Sequence, residues 1–287
     1  MIEFSVGLWL RDIEVVREIC QEAERLGFDG VFYGEGRGPE CWTTIAALAI
    51  ATRKIRLGPG ITFLHYRHPV LLAKSVATLD VLSRGRIELR LGVGGAPGYG
   101  LTLPGLRDRV EQLREGLEIM KLLWTRGEAT FRGKQFVVEN ATCEPSPVQK
   151  PHPPITIAAK GPRMISLAAE YADTVEGFYS PEEFKTRTAK WKTKNRPQLS
   201  LLANVCIARI DSEAKVRYDR YLSEREFSRQ RQERLRERDI VGSPESCREK
   251  LQKYLDAGVT RFALIFIDAA ELSPLRFFAE EVAPQFR

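Results

Sequence analysis

Residues 55–94 read IRLGPGITFLHYRHPVLLAKSVATLDVLSRGRIELRLGVG, and their patterning decides the fold. Apolar residues fall at every second position in 55–57 and 87–91, the period of a strand. Between them Pro69 opens a helix whose apolar positions Leu72, Val76 and Leu79 recur at spacings of four and three. Strand, helix and second strand together make one βαβ crossover. The first strand runs into Gly58-Pro59-Gly60-Ile61, where proline removes a hydrogen-bond donor and glycine permits backbone that other residues resist. This break lies at the carboxyl end of a strand, where parallel α/β folds place their ligands.

Outward from this unit, strand-like and helix-like segments alternate. Strands at 2–8 and 30–33 precede helices at 13–26 and 39–52, and a helix over 106–124 follows the strand at 87–92. Segments 129–131 and 136–138, joined by Arg-Gly-Lys-Gln, read as a hairpin inserted outside the alternation. Strands at 155–158, 174–176, 201–210 and 261–267, with helices at 162–171 and 181–191, two helical segments up to Ala257 and a last helix, complete the series. Eight strands with parallel-type crossovers predict an α/β fold, a (β/α)8 TIM barrel filling residues 1–287 as one domain, over a doubly wound open sheet.

The 287 residues, 43% apolar and 29% charged, supply an ordinary globular core. No run approaches the ~18 apolar residues of a membrane span. The opening MIEFSVGLWLRDIEVV starts with a strand and lacks signal-peptide regions, so no membrane partner is expected. Five scattered cysteines without metal-ligand spacing point to free thiols in a reducing, cytoplasmic setting. Much of the net charge of +6 lies in 185–194 and 217–238. There RYDRYLSEREFSRQRQERLRERD mixes both signs at helical spacing, the mark of a solvated helix and not of a nucleic-acid surface.

In a barrel the site is built from loops after the strands, and titratable groups there are few: Glu35, Arg37, His65, His68, Lys160 and Arg163, with Glu176 at a strand end. Three histidines without HExxH or similar spacing give no metal site. His68, directly before Pro69, reads as a helix boundary, whereas His65 is a candidate acid/base group. Glu35, between glycines at the end of strand two, either meets a ligand or is a plain loop acid. The glycine-rich stretch from Gly92 to Gly100 lets backbone approach a flat ligand. Ala159-Lys160-Gly161-Pro162-Arg163 combines a helix start with two bases, which suits an anion such as phosphate; an ordinary turn with exposed bases is the alternative. Lys160 as a Schiff-base nucleophile would need burial or a cationic neighbour.

The segments AERLGFDGVFYGEG, ATRKIRLGPGITFLHYRHPVLLAKSVATLDVLSRGRIELRLGVG, ITIAAKGPRMISLAAEYADTVEG and IVGSPESCREKLQKYLDAGVTRFAL, in this order, resemble the bacterial luciferase-like superfamily. The GPGI turn followed by RHP, ATLD and SRGR, with the AAKGPRM loop, most resembles its coenzyme F420-dependent branch, the methylenetetrahydromethanopterin reductases in particular. The resemblance implies a (β/α)8 barrel binding F420, with FMN as the alternative cofactor, and hydride transfer to or from a small organic substrate. An FMN-dependent monooxygenase and a non-catalytic flavin-binding homologue are the rival readings. The resemblance also implies a non-prolyl cis peptide at Gly60–Ile61 behind the ring and phosphate binding by Ala159, Lys160, Gly161, Pro162 and Arg163. Gly60, Ile61, Thr62 and Gly92 would carry the cofactor, Glu35 and His65 would handle protons, and Phe63, Leu64 and Tyr99 would line the substrate. A homodimer is expected from the same likeness. The chain departs from the reductases in strand one, where Ser-Val-Gly-Leu replaces a glutamate, at Gly36 in place of a histidine, at Phe63-Leu64 in place of Asn-Pro, and in a strand-four loop without an acid.

Overall fold

The computed structural model describes residues 1–36, 38–95, 100–188 and 197–287. The first two β/α units are β1 (Glu3–Leu8), α1 (Ile13–Arg25), β2 (Gly30–Tyr33) and α2 (Cys41–Ala51). The third strand is split into β3 (Arg56–Pro59) and β4 (Thr62–Phe63), and a 3-10 turn, Leu64–Tyr66, leads to α3 (Pro69–Ser83). Next come β5 (Leu89–Gly92), α4 (Leu106–Arg126), β6 (Glu128–Arg132), β7 (Val137–Thr142), β8 (Ile155–Ala158), α5 (Pro162–Tyr171), β9 (Thr174–Gly177) and α6 (Pro181–Thr188). The last third holds β10 (Gln198–Ile207), α7 (Asp211–Ser223), α8 (Arg229–Arg238), β11 (Ile240–Gly242), α9 (Pro244–Asp256), β12 (Val259–Phe266) and α10 (Leu272–Glu281).

The parallel sheet runs β3-β2-β1-β12-β10-β9-β8-β5-β4, with β11 added beside β10. It closes where β3 meets the approach to β5: Leu57 N–H donates to Arg86 O at 2.9 Å and Glu88 N–H to Leu57 O at 2.9 Å. A barrel with its helices outside results, as expected. The strand expected from residue 87 starts at Leu89, because Ile87 is spent on the closing bridge to Leu57. The hairpin β6–β7 is antiparallel and separate from the barrel. Its turn is tied to α4 by Glu115, whose buried carboxylate accepts from the backbone of Lys134, Gln135 and Phe136 at 2.8–3.0 Å. β11 was not expected, since three residues are too few to show a period. The helix expected over 181–191 is described to Thr188, and its last residues lie outside the described ones.

Local chemistry sets the helix starts. Asp12 caps α1 by accepting from Glu14 and Val15 N–H. Pro69 occupies the first turn of α3, and His68 Nδ1 accepts from Val70 N–H at 3.3 Å, so His68 is a capping residue. The apolar faces of these helices pack on the outward-facing strand residues, with Val6, Leu57, Leu89, Ile157 and Leu264 fully buried between the two layers. Among the described residues, no helix is long and apolar enough to cross a membrane.

Candidate active site

The GPGI break shapes the barrel mouth. The Gly60–Ile61 peptide is cis. Gly60 N–H donates to Tyr33 O at 2.8 Å, keeping the turn on β2. A Cβ at Gly60 would lie 3.0 Å from Phe32 O, so the close approach requires glycine. From the other side Glu35 grips the turn. Its buried carboxylate accepts from the Thr62 hydroxyl at 2.5 Å, Phe63 N–H at 3.2 Å and Arg67 Nη1 at 2.7 Å. Arg67 also pairs with Glu40, which caps α2 by accepting from Thr43 N–H at 2.7 Å. One carboxylate and one guanidinium thus join the β2 loop, the split strand and the start of α2.

Opposite, the loop after β8 opens α5. Gly161 is its N-cap residue and gives no side-chain cap, leaving first-turn N–H groups facing outward beside exposed Lys160 and Arg163. Tyr179, buried at the start of the next loop, donates its hydroxyl to Ala159 O at 2.8 Å and Lys160 O at 2.9 Å. The glycine stretch after β5 is held by Arg109 of α4, which donates to Val93 O and, at 2.9 Å, to Gly94 O.

These parts surround one cavity of about 670 Å³ lined by Ile61, Phe63, Gly92, Val93, Gly94, Gly95, Leu106, Val110, Ala158, Lys160, Gly161, Pro162, Arg163, Met164 and Phe178. Its walls are largely apolar, with bases and free helix N–H groups at one end, and its size suits a cofactor-sized ligand. Such a cavity could hold a ligand with a flat ring against Ile61 and the glycines and a phosphate at the start of α5. Lys160 is exposed to solvent, which disfavours the desolvated amine a Schiff-base nucleophile needs.

The expected site residues divide accordingly. Ile61, Phe63, Gly92, Lys160, Gly161, Pro162 and Arg163 reach the cavity. Gly60, Thr62 and Ala159 stand behind it; Thr62 is fully buried, with its hydroxyl spent on Glu35 and 3.4 Å from Trp42 Nε1. Leu64, expected on the substrate side, turns away: the 3-10 turn breaks strand alternation and presses its side chain onto Gly116 of α4, where a Cβ would overlap it. His65 meets Tyr66 edge-on and lies tilted beside Phe63, with ring centroids 4.4 and 5.7 Å away, and is not among the residues lining the cavity. Burial, reinforced by Arg109, lowers its pKa to about 4, and its Nε2 is buried without a hydrogen-bond partner. At neutral pH it is an uncharged imidazole. Tyr99 and Arg37 lie outside the described residues. Among the described residues, no cluster suited to a metal ion occurs.

Beneath the mouth the barrel interior is charged. Arg90 lies 3.8 Å over the Phe32 ring and pairs with Glu176 and, at 3.2 Å, with Glu88. Arg261 pairs with Glu88 at 2.6 Å and Glu3 at 2.8 Å. Burial alone would raise the Glu88 carboxyl, but Arg261 and Arg90 outweigh it and hold the pKa down to about 2. At Glu176 burial wins over Arg90, with Glu88 adding repulsion, and the pKa is raised. Residue reading singled out Glu176 but missed Arg90, Arg109 and Tyr179, whose signal, a polar residue at a strand end or helix start, is common.

Comparison with known proteins gives the family and the fold. A flavin-dependent trigonelline monooxygenase oxygenase component of Acinetobacter baylyi is 29% identical over 218 residues, covering 69% of this chain and 60% of that protein. An F420-dependent glucose-6-phosphate dehydrogenase of Microbacterium testaceum is 32% identical over 164 residues, 53% of this chain and 48% of that one. The chain therefore spans about half to three-fifths of these relatives' lengths. The coenzyme F420-dependent tetrahydromethanopterin reductase of Methanopyrus kandleri superposes with a TM-score of 0.82 at 21% identity, covering 100% of this chain and 99% of that chain, a likeness of fold. A family model described as luciferase-like monooxygenase matches residues 10–261, nearly the whole barrel, and the chain belongs to that family.

Proposed function

We propose that the protein is an F420-dependent oxidoreductase. The observation that carries a deazaflavin or flavin site is the joining of the Ile61 turn and the Lys160–Arg163 helix start in one apolar cavity, and the choice of F420 rests on the GPGI turn with RHP and the AAKGPRM loop, which resemble the F420-dependent branch. When bound, the deazaflavin supplies the hydride chemistry at its C5. The chain's part is placement and exclusion of water. Ile61, Gly92 and Gly94 would face the ring, and the α5 N-terminus with Lys160 and Arg163 would hold the phosphate. Phe63, Val93, Met164 and Phe178 would keep the reacting atoms dry. A site with few ionisable groups suits a reaction whose demands are chiefly positional. Glu35, occupied by its donors, positions the turn, and neutral His65 acts at most as a hydrogen-bonding group.

An FMN-dependent monooxygenase is the second reading, supported by the trigonelline monooxygenase component, which is similar over more of the chain than the F420-dependent relative. Ring and phosphate requirements are shared by both cofactors. Incubation of the purified chain with F420 and with FMN, followed by gel filtration and absorbance spectra, separates them. Retention of F420 and its bleaching by a hydride donor such as an alcohol or a hydrated aldehyde is expected. Tight FMN retention with no measurable F420 binding would replace the first reading by the second.

A further inference from the structure

Trp9 stands one residue beyond β1 and is 42% exposed, unusual for an indole. Its ring is nevertheless held in a made seat. It folds back over Gly7, where a Cβ would meet ring carbon Cζ3 at 2.8 Å, and over Gly34, where a Cβ would overlap Nε1, Cδ1 and Cε2. The Tyr33 hydroxyl donates to Leu10 O at 2.7 Å, fixing the loop that carries the indole. In the ring of strands β1 lies four steps from β8 through β12, β10 and β9, and four through β2, β3 and β5. β8 ends at Ala158, which lines the cofactor cavity, so Trp9, just past the carboxyl end of β1, stands on the opposite side of the same barrel mouth.

A smaller cavity of about 180 Å³ is lined by Trp9, Gly7, Leu10, Ile265, Tyr221 and Arg225, among others. Tyr221, Arg225, Ile267 and Asp268 also line a wider cleft of about 820 Å³ outside it, so the indole faces a route to solvent. Asp268 is engaged by Arg217. Arg225 is stacked 3.7 Å over the Tyr221 ring and has no carboxylate partner among the described residues. An exposed flat ring on a glycine seat shares its cavity wall with the Arg225 guanidinium, which has no ion-pair partner among the described residues, and with Asp268, which is engaged by Arg217; this is a recognition surface for an aromatic carrying a negative group.

We infer that Trp9 and Arg225 form the substrate subsite of this enzyme and that the substrate class is a planar aromatic carboxylate. Its ring would stack on Trp9 and its carboxylate would reach Arg225. This rests on the proposed function only in taking the barrel mouth as the reaction site.

The test titrates the full chain, loaded with whichever of F420 or FMN it retains or as purified if neither is kept, with benzoate, benzyl alcohol and cyclohexanecarboxylate in a calorimeter. Benzoate is expected to bind roughly tenfold or more tightly than benzyl alcohol, the worth of one charge-assisted hydrogen bond. It should exceed cyclohexanecarboxylate by about fivefold, the worth of an aromatic contact. Arg225→Gln should remove the first preference and Trp9→Ala the second, with Trp9→Phe keeping benzoate within about twofold. Absence of benzoate binding, equal affinities for the three probes, or preferences unchanged by both substitutions overturns the inference. Cofactor absorbance of the same samples reports on the proposed function separately, since retention of neither cofactor overturns that reading whatever benzoate does.

Discussion

Replacing Glu35 by glutamine tests how the mouth of the barrel is held. Two donors, the Thr62 hydroxyl and Phe63 N–H, converge on one carboxylate oxygen, and Arg67 Nη1 takes the other. A glutamine offers one acceptor oxygen and one NH2 group, so in either orientation a donor faces a donor. The side chain is fully buried, and removing one partner of a buried ion pair costs about 3–5 kcal/mol. Arg67 keeps Glu40 and is itself partly exposed, which lowers the expected loss for Glu35→Gln to about 2–3 kcal/mol. Glu35→Ala also strands the Phe63 amide and the Thr62 hydroxyl, at about 1–3 kcal/mol each, for a total of about 4–9 kcal/mol. Because the turn faces the cofactor cavity, cofactor affinity should fall in parallel, by about tenfold for each 1.4 kcal/mol transmitted. Urea unfolding with an unchanged m-value and a fluorescence titration of the cofactor measure the two losses. A Glu35→Gln protein within about 0.5 kcal/mol of the parent would refute the clamp. So would normal cofactor affinity with turnover abolished, which would make Glu35 a proton-transfer residue.

Other consequences are equally direct. Glu88→Gln breaks contacts to both Arg261 and Arg90 and should cost about 3–5 kcal/mol, whereas Glu176→Gln, at a carboxyl already pushed toward its neutral form, should cost about 1 kcal/mol; urea unfolding of both variants checks the order. His65, lowered from 6.5 to about 4 by burial and then Arg109, takes up a proton in the unfolded chain before the folded one. Its contribution is therefore full above pH 6.5 and lost as pH falls through 4, and His65→Asn should flatten that part of the stability–pH curve. Lys160→Ala and Arg163→Ala should each weaken cofactor binding about tenfold at low salt and less at high salt, because both bases are exposed and screened; dialysis at two ionic strengths gives the ratio. Gly58→Ala would set a methyl against the Glu88 carbonyl at the closing seam and should cost about 3 kcal/mol, read as a lowered Tm.

Some of the site was legible before any coordinates, and the reasons are local. Proline between glycines at the end of a strand, and glycine then proline before a helix, act through φ and missing donors within a few residues. The turn at 58–61 and the anion-ready start of α5 could therefore be read from neighbours alone. Leu64 was placed beside Phe63 on the substrate side from the family likeness, but the chain leaves the strand there for a 3-10 turn that turns the Leu64 side chain onto α4. Glu35 could be located and was expected to handle protons, but its grip on the turn could not be read, since its partners Thr62, Phe63 and Arg67 lie 27, 28 and 32 positions away. Trp9 passed unnoticed as one apolar residue after a strand, its meaning resting on Gly34 in another.

By itself the sequence determined the order of strands and helices, the barrel class and the two loops where backbone is specialised, because periodicity and glycine–proline chemistry are properties of adjacent residues. Tertiary structure alone decided which of those loops share a cavity, which carboxylates are spent on holding the barrel, and which aromatic is left facing it. Closing eight strands into a ring brings residues a hundred positions apart within hydrogen-bonding reach, and no local pattern encodes which of them meet.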